Sequence, residues 1–224
     1  MSVKLLALDT AGARCSVALL IDDKLAELDM PAERVQAESV LPMVERLLAE
    51  AGIGLRDLDA VAFGRGPGAF TGLRVAASVA QGLAYGAGLP VVPVSDLAAL
   101  AAAAVRLHKA ERILACLDAR MQEVYWCAYA AEADALRPLT EEALSPPQEV
   151  TVPAGPWFGA GPGWSAYGEA LKGRAALSGV DAALLPTAGD IARLAERAFR
   201  AGQGVPPEHA LPVYLRDKVA TPKI

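Results

Sequence analysis

Apolar positions in the first thirty residues fall into three short runs separated by turn chemistry. Val3 to Leu8 is continuous, and Asp9-Thr10-Ala11-Gly12-Ala13-Arg14 interrupts it. Cys15 to Ile21 is apolar again, and Asp22-Asp23-Lys24 leads into Leu25 to Met30. Apolar runs of this length bounded by turn residues predict three strands joined by hairpins, the first buried on both faces. From Gln36 to Glu50 the period changes. Val40, Leu41, Val44, Leu47, Leu48 and Ala51 recur at helical spacing, and Gly52 supplies a stop. Further on the pattern predicts a strand over 59–63, a breaker cluster over 64–68 and a proline-free helix over 69–85. A strand over 91–94 follows, then an Ala-rich helix from Ser95-Asp96 to His108.

This order, β-β-β-α-β-α-β-α, implies a mixed sheet flanked by helices. A second series begins at Arg112 to Leu117, turns at Asp118-Ala119-Arg120-Met121-Gln122 and returns through Glu123 to Ala130. Asp9 and Asp118 therefore close equivalent strands, which suggests two related halves, the second degraded past its first hairpin. Residues 138–156 read as Pro-rich and irregular and 158–164 as a Gly-rich turn. Residues 190–201 read as a helix with Ile191, Leu194, Ala195, Ala198 and Phe199 on one stripe. The expected division is an N-terminal subdomain over 1–107 and a C-terminal one over 108–224.

Composition narrows the class. Of 224 residues, 54% are hydrophobic and 21% charged, enough for a core and too apolar for disorder. The net charge is −5 and the 21 basic residues are scattered, so nucleic acid is expected to be met indirectly, through a partner's basic surface. Cys15, Cys116 and Cys127 form no CxxC pair and sit in apolar runs, which reads as buried free thiols in a reduced cytoplasm. Neither a signal peptide nor a membrane span is expected.

The most distinctive stretch is Gly64-Arg65-Gly66-Pro67-Gly68-Ala69-Phe70-Thr71-Gly72. A Gly-rich loop opening a helix can present backbone N–H groups to an anion. The alternative is a tight turn in which backbone approaches backbone. The helix after it carries Leu73, Val75, Ala76, Ala77, Val79, Ala80, Leu83 and Ala84, with almost no polar face. Such a helix is covered on both sides, either by the helix over 36–50 or by a partner. Asp9-Thr10 stands where a metal or phosphate could be held, or where an Asx turn would form. The two histidines, His108 and His209, lie far apart in the chain and give no metal-site or triad pattern, and the paired carboxylates fall in turns. Nothing here reads as a catalytic constellation.

Taken together, several blocks resemble the TsaB (YeaZ) family. They are Leu6-Ala7-Leu8-Asp9-Thr10, Leu41-Pro42-Met43-Val44, Gly64 through Arg74, Asp118-Ala119-Arg120-Met121-Gln122-Glu123-Val124-Tyr125-Trp126, Gly161-Pro162-Gly163-Trp164 and Pro212-Val213-Tyr214-Leu215-Arg216. The resemblance implies an α/β, actin-like (ribonuclease H-like) fold of two subdomains with mixed sheets flanked by helices. It implies a non-catalytic subunit that works with a catalytic paralogue, TsaD, and a small ATPase, TsaE, to form N6-threonylcarbamoyladenosine in tRNAs reading codons that begin with A. The catalytic paralogue's metal-binding His-x-x-x-His pair has its counterpart here at Arg34 to Val40, without histidine. The resemblance thus implies no metal and no cofactor on the chain's own side chains, with a nucleotide only at a partner surface. It places the partner interface, for TsaD or a second copy, on Val40, Val44, Leu73, Val75, Ala76, Val79, Ala80 and Leu83. Asp9, Thr10, Asp118 and Gly161 are left as vestigial phosphate-loop positions. A stand-alone small-molecule kinase or ATPase using Asp9 and Asp118 is the alternative.

Overall fold

The computed structural model describes residues 2–32, 36–133 and 135–216. Strands β1 (Lys4–Asp9), β2 (Arg14–Ile21) and β3 (Lys24–Pro31) form an antiparallel meander. Strands β4 (Ala60–Gly64) and β5 (Val91–Val94) add to it in parallel, giving the order β3-β2-β1-β4-β5. The unbroken apolar run of β1 follows from its central place. Leu6 and Leu8 pack under helices α1 (Gln36–Ala51) and α2 (Phe70–Ala87), whereas Leu5 and Ala7 face helix α5 (Ala188–Arg200).

The second sheet comprises β6 (Arg112–Asp118), β7 (Val124–Glu132), β8 (Ala135–Pro138), β9 (Ala143–Ser145), β10 (Pro156–Ala160) and β11 (Ala176–Asp181). Its order is β11-β10-β6-β7-β8, with β9 also paired to β7. Helices α3 (Asp96–His108) and α4 (Pro162–Lys172) cover its two faces. Read outward from β1 and from β6, the two sheets repeat one pattern: two antiparallel neighbours on one side and two parallel ones on the other. This is the actin-like, ribonuclease H-like arrangement of two α/β subdomains.

The second half is therefore more complete than its sequence suggests, and the expectation of degradation past the hairpin is corrected. What it lacks is a counterpart of α1: between β8 and β10 stand only β9 and a single 3-10 turn at Pro147–Glu149. Strand β10 and helix α4 hide behind glycines that close packing demands. A Cβ on Gly159 would meet the Trp164 ring at 2.5 Å, and one on Gly163 would meet Cys116 at 2.8 Å. Gly161, at φ +100°, adopts a conformation closed to residues with side chains. Those glycines, read as a turn, are the strand-to-helix junction.

The expected division at 107/108 falls just inside the C-terminal end of α3, ahead of β6. Helix α5 lies beyond it in sequence yet packs on the first sheet. Its N-terminus is fixed there by Ser16 Oγ, which accepts from Ala188 N–H (2.9 Å), and by Glu27, which accepts from Gly189 N–H (2.8 Å). Arg106 of α3 then grips the buried Asp190 through two bonds of 3.0 and 2.9 Å. Among the described residues no helix is long and apolar enough to cross a membrane.

Candidate functional site

The two halves enclose a cleft of about 800 Å³, lined by Ala11, Gly68, Phe70, Asp96, Asp118 and Arg216 among others. The N-terminal ends of α2, α3 and α4 all reach its wall, at Phe70, Asp96 and Pro162. This is the crevice at the carboxyl ends of the parallel strands, the ordinary ligand position of an open α/β sheet.

Asp9 and Thr10 lie beneath this wall and not on it. Thr10 is fully buried and its hydroxyl donates to the Gly72 carbonyl at 2.6 Å. Asp9 is 2% exposed, and its Oδ1 accepts the Ala11 N–H at 2.8 Å, the Asx turn that the sequence also allowed. Gly72 is glycine because a side chain there would overlap the Thr10 carbonyl, and Gly68 because it packs on Ala11. At Gly68 and Gly72 the Gly-rich loop is thus a place where backbone approaches backbone, closed by this chain's own β1–β2 turn.

The sequence does not single out Asp96 beyond the cap region of α3. In the structure Ser95 is the N-cap, accepting from Ala98 N–H, and Asp96 is only 1% exposed. Asp96 Oδ2 accepts the Gly66 N–H at 2.5 Å, while among the described residues no donor reaches Asp96 Oδ1. That oxygen converges with Asp9 over Gly64: a Cβ on Gly64 would lie 2.5 Å from Asp96 Oδ1 and 3.2 Å from Asp9 Oδ1. Burial pushes the Asp9 carboxyl up to about 6, against the Ala11 N–H, which lowers it. Burial and then the Asp9 charge push Asp96 well above the usual carboxylate range. A proton retained on Asp96 donates to Asp9, supplies the missing partner and lets one negative charge occupy a site that cannot hold two.

Asp118 does line the cleft, at the end of β6, where its Oδ1 accepts from the Arg120 N–H (2.8 Å) and the Tyr167 hydroxyl (3.3 Å). Arg120 adds an ion pair at 3.1 Å. Gly161 caps α4 and donates its N–H to the Asp181 carbonyl. Asp9 and Asp118 therefore occupy equivalent strand ends, one buried beneath the cleft and one on its wall. Among the described residues no group of three or more His, Cys, Asp or Glu side chains is arranged around a metal position. Residues 34 and 35, part of the stretch matched to the His-x-x-x-His pair, lie outside the described residues.

The residues expected at a partner interface divide by burial. Val40, Val44, Ala76 and Ala80 are buried in the core between α1, α2 and the first sheet, and Leu73, 1% exposed, is buried beside Gly66 at the cleft wall, so these five offer no surface to a second helix. The reading that places them at the interface is corrected for these five: the neighbours that cover them belong to this chain itself. Val75, Val79 and Leu83 are half-buried at the edge of that core. The face of α2 that remains open carries Ser78, Gly82 and Gly86 with Tyr85, which is 81% exposed, while Leu41 of α1 is 46% exposed. A Cβ on Gly82 or Gly86 would meet nothing within 4 Å.

Comparison with known proteins places this geometry. The family model described as "TsaD: tRNA N6-adenosine threonylcarbamoyltransferase" matches residues 30–203. The "tRNA threonylcarbamoyladenosine biosynthesis protein TsaB" of Haemophilus influenzae is 40% identical over 233 residues, covering 100% of this chain and 98% of that one. The protein of the same description from Escherichia coli is 40% identical over 227 residues, covering 99% and 98%. The solved structure of YeaZ from Pseudomonas aeruginosa has a TM-score of 0.90 and 49% identity, covering 95% of this chain and all of that one. With relatives of this identity matched along their whole length, the chain belongs to the TsaB (YeaZ) family.

Proposed function

We propose that this chain is a non-catalytic scaffold subunit in the formation of N6-threonylcarbamoyladenosine in tRNA, pairing with a TsaD-type catalytic paralogue and working with TsaE. The observation that carries the reading is the open face of α2. Ser78, Gly82 and Gly86 leave a shallow track flanked by Tyr85 and by the half-buried Val75, Val79 and Leu83. A track of small residues lets a second helix come close, and an exposed tyrosine at its side is the kind of anchor that dominates interface energetics. The contribution to catalysis is then a coupling free energy between the paired surfaces. In this reading the chain carries no cofactor of its own, a nucleotide enters only at the shared surface, and tRNA is met through the partner. Without the partner, the same face takes a second copy of the chain.

Two features of the cleft support the scaffold over a stand-alone kinase or ATPase. The carboxyl that such an enzyme would use, Asp9, is buried beneath the wall and tied to Asp96, and the glycines of the adjacent loop are filled by the chain itself. The test is co-purification of TsaD with the wild-type chain and with Gly82→Arg, a substitution that meets open space within the chain. The reading expects loss of the complex with an unchanged fold; an intact complex would remove the α2 face from the interface.

A further inference from the structure

Beyond α5 the chain returns along the first half. Val205 pairs with Val91 at the free edge of β5, the Gln81 side-chain amide donates to the Ala210 carbonyl at 3.2 Å, and Val213 N–H donates to the Arg65 carbonyl at 2.7 Å. Gly66 is a glycine at φ +107° here, and a Cβ on it would lie 2.8 Å from the Val213 carbonyl oxygen. The Tyr214 ring sits 5.3 Å from the Phe70 ring, and its hydroxyl accepts from Arg74 Nε at 3.3 Å.

Two residues later the chain has crossed to the second half. Arg216 Nη2 donates to the Ala119 carbonyl at 3.0 Å and pairs with the Glu123 carboxylate at 2.8 Å, while Nη1 lies 3.4 Å from Met121 Sδ. Val213 to Arg216 thus bridges the mouth of the cleft, whose lining includes all four of its residues. From Val213 to Arg216 a fully extended chain spans at most about 10 Å, so the halves cannot part there while both ends are held.

An independent feature stands where the bridge lands. Arg120, Met121 and Gln122, the turn between β6 and β7, have φ of 60°, 55° and 62°. Three successive side-chain-bearing residues in the left-handed region form an unfavourable run, which persists only when its surroundings fix it. The single guanidinium of Arg216 grips this turn at Ala119, at Met121 and at Glu123, on both flanks and in the middle.

We infer that Val213–Arg216 is a strap that holds the cleft at one opening and the β6–β7 turn in its strained form, with Arg216 as its latch. The inference does not depend on the scaffold role. A second tie between the halves, the Arg65–Glu142 ion pair at 3.0 Å, remains when the latch is released, so the halves loosen at the strap without separating.

Hydrogen–deuterium exchange on the full chain tests this, comparing wild type with Arg216→Ala and Arg216→Lys. The strap predicts that in Arg216→Ala exchange rises about tenfold at both anchors. These are the Ala119 and Glu123 amides of the turn, and the Val213 amide on the first half. The interiors of β1 and β6 stay unchanged, and Arg216→Lys, which keeps the charge but loses the fork, falls between. Unchanged exchange at both anchors would overturn the strap. Faster exchange in the turn alone would overturn it too, because Arg216 would then be a local turn contact. Should Arg216→Ala fail to fold by circular dichroism, Glu123→Gln breaks the ion pair from the other side and is read by the same two criteria.

Discussion

Replacing Asp96 by asparagine tests the shared proton beneath the cleft. In Asp96→Asn the amide oxygen keeps the Gly66 N–H, and the amide nitrogen donates to Asp9 as the retained proton does in the wild type. The folded wild-type chain holds the Asp9 proton more tightly than the unfolded chain, because burial moves that carboxyl from 3.8 to about 6. The associated stability is therefore full below the unfolded value and is lost as pH rises through about 6. At about 1.4 kcal/mol per pH unit the total is on the order of 3 kcal/mol, and about half of it is lost between pH 5 and pH 8. Asp96, also raised well above the ordinary carboxylate range, adds to the slope in the same direction. The variant keeps the burial that raises Asp9 and a donor like the one it replaces, so the Asp9 loss is common to both proteins, whereas the Asp96 proton is present only in the wild type. Urea or thermal denaturation of both proteins at pH 5 and pH 8 reads the difference, since the remaining carboxylates cancel. The gap should move in favour of the variant as pH rises, by at most about 1.4 kcal/mol for each pH unit over which the folded wild type keeps the Asp96 proton and the unfolded chain has lost it. A gap that is constant with pH would refute the shared proton.

Other expectations follow from burial on α2 and beneath the loop. Ala80→Asp places a charge in the closed core and should destabilise the isolated chain by several kcal/mol in urea melts. Gly82→Arg should leave it as stable or slightly more so, because glycine is a poor helix former. A reversed order would mean that α2 is turned the other way. Gly72→Ala drives a methyl against the Thr10 carbonyl and should cost about 1–3 kcal/mol, whereas Gly86→Ala, facing open space, should cost nothing in the same assay.

How far the sequence is legible depends on what each signal reports. Strands β1 to β3 and helices α1 to α3 announce themselves because continuous apolar runs, a helical period and the stop at Gly52 act locally. Strand β10 and helix α4 do not, because Gly159 and Gly163 serve contacts with Trp164 and Cys116, which are visible only after folding. Strand β11 is equally hidden, since Ala176–Asp181 alternates half-buried and exposed positions around Gly179. Apolarity all round α2 shows that it is covered but not by what, which is why Ala76 and Ala80 look like interface residues yet belong to the core. Asp96 illustrates the same limit for chemistry. An acidic residue in the first turn of a helix has an ordinary local explanation, and only the fold brings β1 alongside to make it half of a carboxyl pair.

The central claim, that the chain works as a required non-catalytic subunit, is tested most directly by threonylcarbamoylation of unmodified tRNA. TsaD and TsaE are supplied with the threonylcarbamoyl adenylate, with no addition, with the wild-type chain or with Asp9→Asn. The account predicts modification only when the chain is present, full activity with Asp9→Asn, and neither nucleotide hydrolysis nor tRNA modification by the chain alone. Equal modification without the chain, or magnesium-dependent hydrolysis by the isolated chain that Asp9→Asn abolishes, would contradict it.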